Sequence, residues 1–234
     1  MNFRLLISLI AAAVAEPEIP GPLPAFTALR TAIVQVGQIG SPHRWSGTGF
    51  FLDDRCTVAT AKHVLQGIDK KKLGIRFTSS EDTGTSWTAP AVVLDEDLLG
   101  DLAFLRPMKR ELRCPPREFH HFPIYREPHT RDLAGEEIFI LGHPVLATGQ
   151  HLDMVVIRKG IIASAEIKWS VASDHPMLLL DLQGAPGFSG GPVVLARTRE
   201  VVGVVYGPGP TSRLAGFEWA TPLTFSRFER IPQQ

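Results

Sequence analysis

Apolar residues in this chain come in short runs separated by glycine, proline and charged positions, and no long stretch carries the spacing of an amphipathic helix. Short runs bounded by turn residues predict strands. From the N-terminus they fall at 31–37, 48–52, 57–61, 73–78, 87–95 and 101–106. Five prolines and many charges then interrupt the pattern across 107–132, and it resumes at 137–142, 154–167, 177–182, 192–196, 201–206 and 217–221. Six strands on either side of one break predict an all-β molecule in two lobes, each a sandwich or barrel. Short helical turns are expected only at 64–65 and 223–228.

The first residues carry a different pattern. Arg4 precedes the apolar stretch 5–14, and Ala13-Val14-Ala15 supplies a small-x-small cleavage pattern before Glu16. Residues 1–15 therefore read as a signal peptide, which implies an exported chain, periplasmic or secreted. The stretch is shorter than the roughly twenty residues a bilayer span needs. An uncleaved anchor is the alternative. Residues 16–30, with Pro17, Pro20, Pro22 and Pro24, read as an extended arm, 31–112 as the first lobe, 113–132 as the connector and 133–234 as the second lobe.

Composition narrows the function classes. The 234 residues hold 24 basic and 24 acidic side chains, for a net charge of zero. A nucleic-acid binder would show a basic surplus, so nucleic acid is not an expected partner. The one dense basic run, Lys70-Lys71-Lys72, reads as a solvated turn. Export would permit a disulfide between the two cysteines, Cys56 and Cys114, but sequence does not place them within bridging distance. The alternative for Cys56 is a thiol packed as a small apolar group. His120, His121 and His129 in the connector match no compact ligand spacing. Neither a metal nor an organic cofactor is expected.

Three segments carry candidate chemistry. Gly187-Phe188-Ser189-Gly190-Gly191-Pro192 sets a serine among glycines ahead of the apolar Val193-Val194-Leu195. A nucleophile on such a turn needs backbone N–H groups one hydrogen-bond length from the developing oxyanion, here those of Gly187 and Ser189, and glycine removes the side chains that would crowd them. A plain glycine-rich hairpin is the alternative. Thr60-Ala61-Lys62-His63-Val64 ends a strand with a histidine, placed to act as a general base. Gly100-Asp101-Leu102-Ala103-Phe104-Leu105 opens a strand with an aspartate, whose carboxylate needs a partner such as the His63 ring. Asp95 and Asp97 are rivals, but Asp101 alone sits directly before the apolar run.

These residues, in the order His63, Asp101, Ser189, resemble the chymotrypsin-like (trypsin-fold) serine proteases over about residues 31–228. The pattern is closest to bacterial trypsin-like and high-temperature-requirement-type catalytic domains without a PDZ domain. Ile138–Pro144, Arg158–Ser164 and Gly216–Pro222 resemble the opening, following and closing strands of the second lobe in those enzymes. The resemblance implies two six-stranded antiparallel β-barrels with a catalytic cleft between them, a polypeptide substrate, and no stable membrane association once the leader is cleaved. It lines the pocket for the residue before the scissile bond with Leu182, Gln183 and Gly184 and with Val205, Tyr206 and Gly207. Gln183 takes the pocket-base position, so an uncharged, apolar or small residue is expected there, with Asp181 nearby keeping a basic one open. Phe188 stands where activation through a new N-terminus would need an aspartate. Lys62 departs from the small residue of the animal enzymes and is expected to face solvent. Ser46–Leu52 also echoes Ser189–Leu195, which would make the two segments equivalent strand starts in the two lobes unless the likeness is chance.

The leading function is thus a serine endopeptidase working through a His-Asp-Ser triad and an acyl-enzyme. The alternatives are a binding module that kept the fold without turnover, and a serine esterase. The esterase reading conflicts with the chain order, since esterases of the α/β type run Ser, Asp, His and carry helices.

Overall fold

The structure is a computed structural model that describes residues 29–40, 44–78, 86–96, 100–108, 122–126, 131–146, 148, 152–168, 176–207, 216–223 and 229. The leader, most of the arm, Asp97, Cys114, the three connector histidines and all but Leu223 of the turn expected at 223–228 lie outside these residues.

Among the described residues, twelve strands alternate with turns. They are β1 (Ile33–Gln38), β2 (Arg44–Phe51), β3 (Val58–Ala61), β4 (Leu73–Thr78), β5 (Ser86–Glu96), β6 (Leu102–Pro107), β7 (Glu137–Gly142), β8 (Val156–Lys168), β9 (Pro176–Asp181), β10 (Pro192–Leu195), β11 (Val201–Gly207) and β12 (Phe217–Pro222). They form two closed antiparallel barrels, as the pattern of apolar runs and the resemblance led us to expect. The first runs β1-β2-β3-β6-β5-β4, with β4 returning to β1. The second runs β7-β8-β9-β12-β11-β10, with β10 returning to β7. Closure removes the unpaired edges that an open sheet would present.

The shared topology corrects one expectation. Position for position, β2 corresponds to β8 and β10 corresponds to β4. Ser46–Leu52 and Ser189–Leu195 are therefore not equivalent, and their likeness reflects only that both are glycine-rich entries to buried strands. The two segments instead touch one another, as described below.

The apolar interior runs from the first barrel into the interface. One cluster joins Phe50, Val58 and Leu105 of the first barrel to Leu141, Val194, Val201 and Val204 of the second. This explains why β3 (Val-Ala-Thr-Ala) is buried on both faces: its outer face packs on β11. Residues 122–126 lace the barrels together. Phe122 is fully buried edge-on against Phe50, with ring centroids 5.7 Å apart, and its N–H donates to the Phe51 carbonyl at 3.2 Å. Tyr125 N–H then donates to Val201 O at 3.0 Å, and Val201 N–H to Pro123 O at 2.8 Å. Buried Gln35 adds a hydrogen bond from Nε2 to Leu152 O (3.1 Å), and Arg76 grips Asp153 with two (2.6 and 3.0 Å).

Lys70–Lys72 forms an exposed 3₁₀ turn, with Lys70 paired to Glu96 at 2.9 Å. Cys56 lies in the loop before β3, buried and at φ +63°, and is disulfide-bonded. It is not a lone packed thiol. The chain's one other cysteine is Cys114.

Candidate active site

Sheet pairing explains why residues 38 apart in sequence meet. β3 and β6 are neighbours, with Ala61 opposite Leu102. His63 follows β3 in a 3₁₀ turn (Lys62–Leu65), and Asp101 immediately precedes β6. One further rung, Lys62 N–H to Asp101 O at 3.1 Å, carries the pairing past both strand ends. Asp101 then holds His63 twice. Oδ1 accepts the His63 backbone N–H at 2.8 Å, and Oδ2 lies 2.6 Å from Nδ1. An ionised carboxylate can only accept, so Nδ1 carries the proton and Nε2 is left as the basic nitrogen. The two side chains are 30% and 16% exposed, which leaves the ring reachable and the carboxylate sheltered. Lys62, expected in solvent, is half-buried because the chain leaves the strand alternation for the 3₁₀ turn at this residue.

Ser189 sits in a turn held from several sides. Phe188 N–H donates to Ala185 O (3.1 Å), Gly191 N–H to Phe188 O (2.8 Å), and Gly190 N–H to Val205 O (2.8 Å). The Phe188 side chain fills the second barrel's core and lies against Gly142, so this turn is anchored by apolar packing where the resemblance would place an aspartate. The first barrel contributes Thr48. Its N–H donates to the Ser189 carbonyl at 2.8 Å and its Oγ1 to the Gly187 carbonyl at 2.6 Å. Thr48 is fully buried, and sequence reading did not single it out. Its only signal there was a polar residue inside the apolar run before Leu52.

Gly187 adopts φ +95°, and a Cβ there would lie 2.2 Å from the His143 carbonyl oxygen. The Pro186 carbonyl accepts from Val145 N–H at 2.7 Å, which turns the Gly187 N–H to the opposite side of that peptide. Among the described residues, neither the Gly187 nor the Ser189 N–H has an acceptor within the protein.

Two residues touch both halves of the candidate site. The Tyr206 ring lies 5.2 Å from the His63 ring, and the Tyr206 carbonyl accepts the Ser189 hydroxyl at 3.2 Å. A Cβ at Gly47 would lie 2.7 Å from both the Ser189 carbonyl and Val64, the residue after His63. His63, Asp101 and Ser189 therefore converge where the barrels meet. The hydroxyl is turned to Tyr206, and no hydrogen bond joins it to His63 among the described residues.

Of the pocket residues expected from sequence, Gly207 lies beside Ser189 Oγ, 3.4 Å from its ideal Cβ position. Val205 is buried in the second barrel's core. Gln183 is exposed, and its carbonyl accepts from Arg158 at 2.9 Å. A residue not anticipated is Glu218 on β12, only 5% exposed, whose Oε1 accepts Gly184 N–H at 2.9 Å. Burial pushes its carboxyl pKa up, and the Gly184 hydrogen bond opposes that rise.

Among the described residues no cluster of three His, Cys, Asp or Glu side chains could hold a metal ion, and no helix is long and apolar enough to cross a membrane. The profile described as "Trypsin-like peptidase domain" matches residues 47–204, more than half of the chain. Among solved structures, the apo MamO protease domain from Magnetospirillum magneticum is similar at 22% identity and a TM-score of 0.64, covering 85% of this chain and 95% of that one. The Rv3671c protease from M. tuberculosis, in its active form, shares 20% identity at a TM-score of 0.61, covering 85% and 79%. The HtrA-type protease AlgW, solved with a tripeptide, shares 18% at 0.59, covering 85% of this chain and 60% of that one. At these identities the likeness establishes the fold. A search among curated proteins returns no match.

Proposed function

This chain belongs to the trypsin-like peptidase family, and we propose that it is a serine endopeptidase using His63, Asp101 and Ser189. In this reading the Ser189 hydroxyl leaves the Tyr206 carbonyl by rotation about χ1 and donates to His63 Nε2. The rotation exchanges one hydrogen bond for another between staggered wells, a change on the order of 1 kcal/mol. As Oγ attacks a peptide carbonyl, His63 takes its proton and Asp101 stabilises the imidazolium. The N–H groups of Gly187 and Ser189 receive the oxyanion. The imidazolium then protonates the leaving amine, and water attacks the resulting acyl-enzyme by the same route. The observation that carries the reading is the double grip of Asp101 on His63, which leaves Nε2 basic beside the Ser189 turn.

A polypeptide is the substrate. Export through the leader at 1–15 would bring the enzyme into a compartment where its disulfide persists. A fluorophosphonate probe on the purified protein tests the nucleophile: wild type is labelled and Ser189→Ala is not. Labelling together with cleavage of an unfolded protein supports the endopeptidase, whereas labelling without any peptide cleavage supports an esterase. One observation favours a second reading. The Ser189–Tyr206 hydrogen bond suits a protease-fold binding module without turnover, and absence of labelling in wild type would establish that reading instead.

A further inference from the structure

Strand β12 reads Phe-Glu-Trp-Ala-Thr-Pro, an apolar strand but for one carboxylate and one threonine. Glu218 pairs in register with Leu180, and two residues on, Ala220 pairs with Leu178. Leu180, Leu178 and Ala220 all belong to the buried core of the second barrel, so Glu218 lies on the inward side of its strand. An inward carboxylate normally carries a cation or several donors, because burial without them is costly. Among the described residues Glu218 has one donor, Gly184 N–H, and no Lys, Arg or His pairs with it. Arg158 reaches the same loop, but it is exposed and ends on the Gln183 carbonyl.

The position of this carboxylate relative to Ser189 gives it meaning. Gly207, beside Ser189 Oγ, pairs with Trp219, the neighbour of Glu218 in sequence. On the other side, Gly184 stands three residues before Gly187. A Cβ on Gly184 would lie 2.5 Å from Glu218 Oε1, so glycine is what admits the carboxylate to the loop. The charge is thus held between the chain leading into the nucleophile turn and the strand passing beside it.

We propose that Glu218 sets the specificity of the cleft, and that the residue accepted immediately before the scissile bond is lysine or arginine. This rests on the endopeptidase reading and replaces the uncharged preference expected from Gln183. An ammonium or guanidinium entering between Gly184 and Gly207 supplies a counter-charge that none of the described residues provides. A neutral side chain brings the buried carboxylate no charge to offset its burial.

Two measurements on the full chain test it. In the first, kcat/KM is compared for peptides that differ only by arginine or its uncharged isostere citrulline before the scissile bond. Wild type is expected to prefer arginine by at least about 10²-fold, and Glu218→Gln to reduce that ratio below about 10-fold. The amide oxygen of glutamine still accepts Gly184 N–H, so a merely structural Glu218 predicts an unchanged ratio. A ratio near one in active wild type, or the same ratio in both proteins, overturns the proposal. In the second, Ser189→Ala is titrated with butylguanidinium and butylurea by thermal shift. Saturable stabilisation by the cation alone, lost in Ser189→Ala/Glu218→Gln, supports the pocket even if no peptidase activity exists. Equal responses to both ligands refute it. Fluorophosphonate labelling of wild type reports separately on the endopeptidase reading.

Discussion

Thr48 of the first barrel donates its backbone N–H to the carbonyl of Ser189 in the second, at 2.8 Å. Its Oγ1 donates to Gly187 O (2.6 Å) and accepts from His143 N–H (3.0 Å). One buried threonine thus fixes the backbone on both sides of Phe188. Thr48→Val keeps the shape but strands the Gly187 carbonyl and the His143 N–H. Each buried group left unpaired costs roughly 1–3 kcal/mol. The variant is expected to lose about 2–4 kcal/mol in urea unfolding, with kcat falling more than KM rises; unchanged stability would show that the network is idle.

Gly190 has no tolerance for a side chain. It adopts φ +86°, and a Cβ would lie 2.0 Å from the Thr48 carbonyl oxygen. That oxygen also accepts from Thr60 Oγ1 at 2.7 Å, so it cannot move without breaking the barrel contact. Gly190→Ala is expected to abolish fluorophosphonate labelling. Gly67 has a similar φ, +75°, with nothing within 4 Å, so Gly67→Ala should cost only about 1–2 kcal/mol and leave labelling intact.

Asp101→Asn tests orientation apart from structure. The amide can donate to Nδ1 and so favours the wrong tautomer, in which Nε2 carries the proton. A fall of about 10⁴ in kcat with a near-native unfolding curve is expected. Activity within tenfold of wild type would remove Asp101 from the mechanism.

Glu218 gives a stability signature with a definite sign. Its folded-state pKa is raised by burial, so the folded protein holds this proton more tightly than the unfolded chain. Stability present below the ordinary carboxylate value is lost as pH rises through the raised one. Glu218→Gln cannot ionise and should melt above wild type at pH 8. The difference should vanish below about pH 4, where wild-type Glu218 is neutral too. A lower melting temperature for the variant at pH 8 would mean the carboxylate is already compensated.

Cys56→Ser should destabilise the first barrel by about 2–4 kcal/mol, and a reductant should lower wild-type stability by a similar amount. The variant should be insensitive to reductant. Equal sensitivity in both proteins would argue against the bridge.

Much of the fold was legible because strand formation is written locally. The apolar runs and their turn residues locate every strand to within a few positions, since burial on a pleated surface requires that spacing wherever the strand ends up. The candidate nucleophile turn was legible for a similar reason: Gly187 and Gly190 record the positive φ values and close approaches that the backbone demands there. Other features were hidden. The echo between Ser46–Leu52 and Ser189–Leu195 suggested equivalence, yet strand order sets the two segments against each other. Thr48 and Glu218 looked like polar interruptions of apolar strands, and only their partners distinguish a tie between the barrels from a carboxylate turned inward onto one backbone N–H.

The amino-acid order alone thus determined the strands, the two-lobed division and the chemistry available at His63, Asp101 and Ser189, because propensity, alternation and turn geometry act over a few residues. Pairing between distant strands decided the rest. It set Asp101 on His63, brought Thr48 to the Ser189 carbonyl, and turned Glu218 inward onto the Gly184 N–H. Those outcomes depend on which strands become neighbours when the barrels close, and that is settled by the collective burial of apolar surface rather than by any local run of residues.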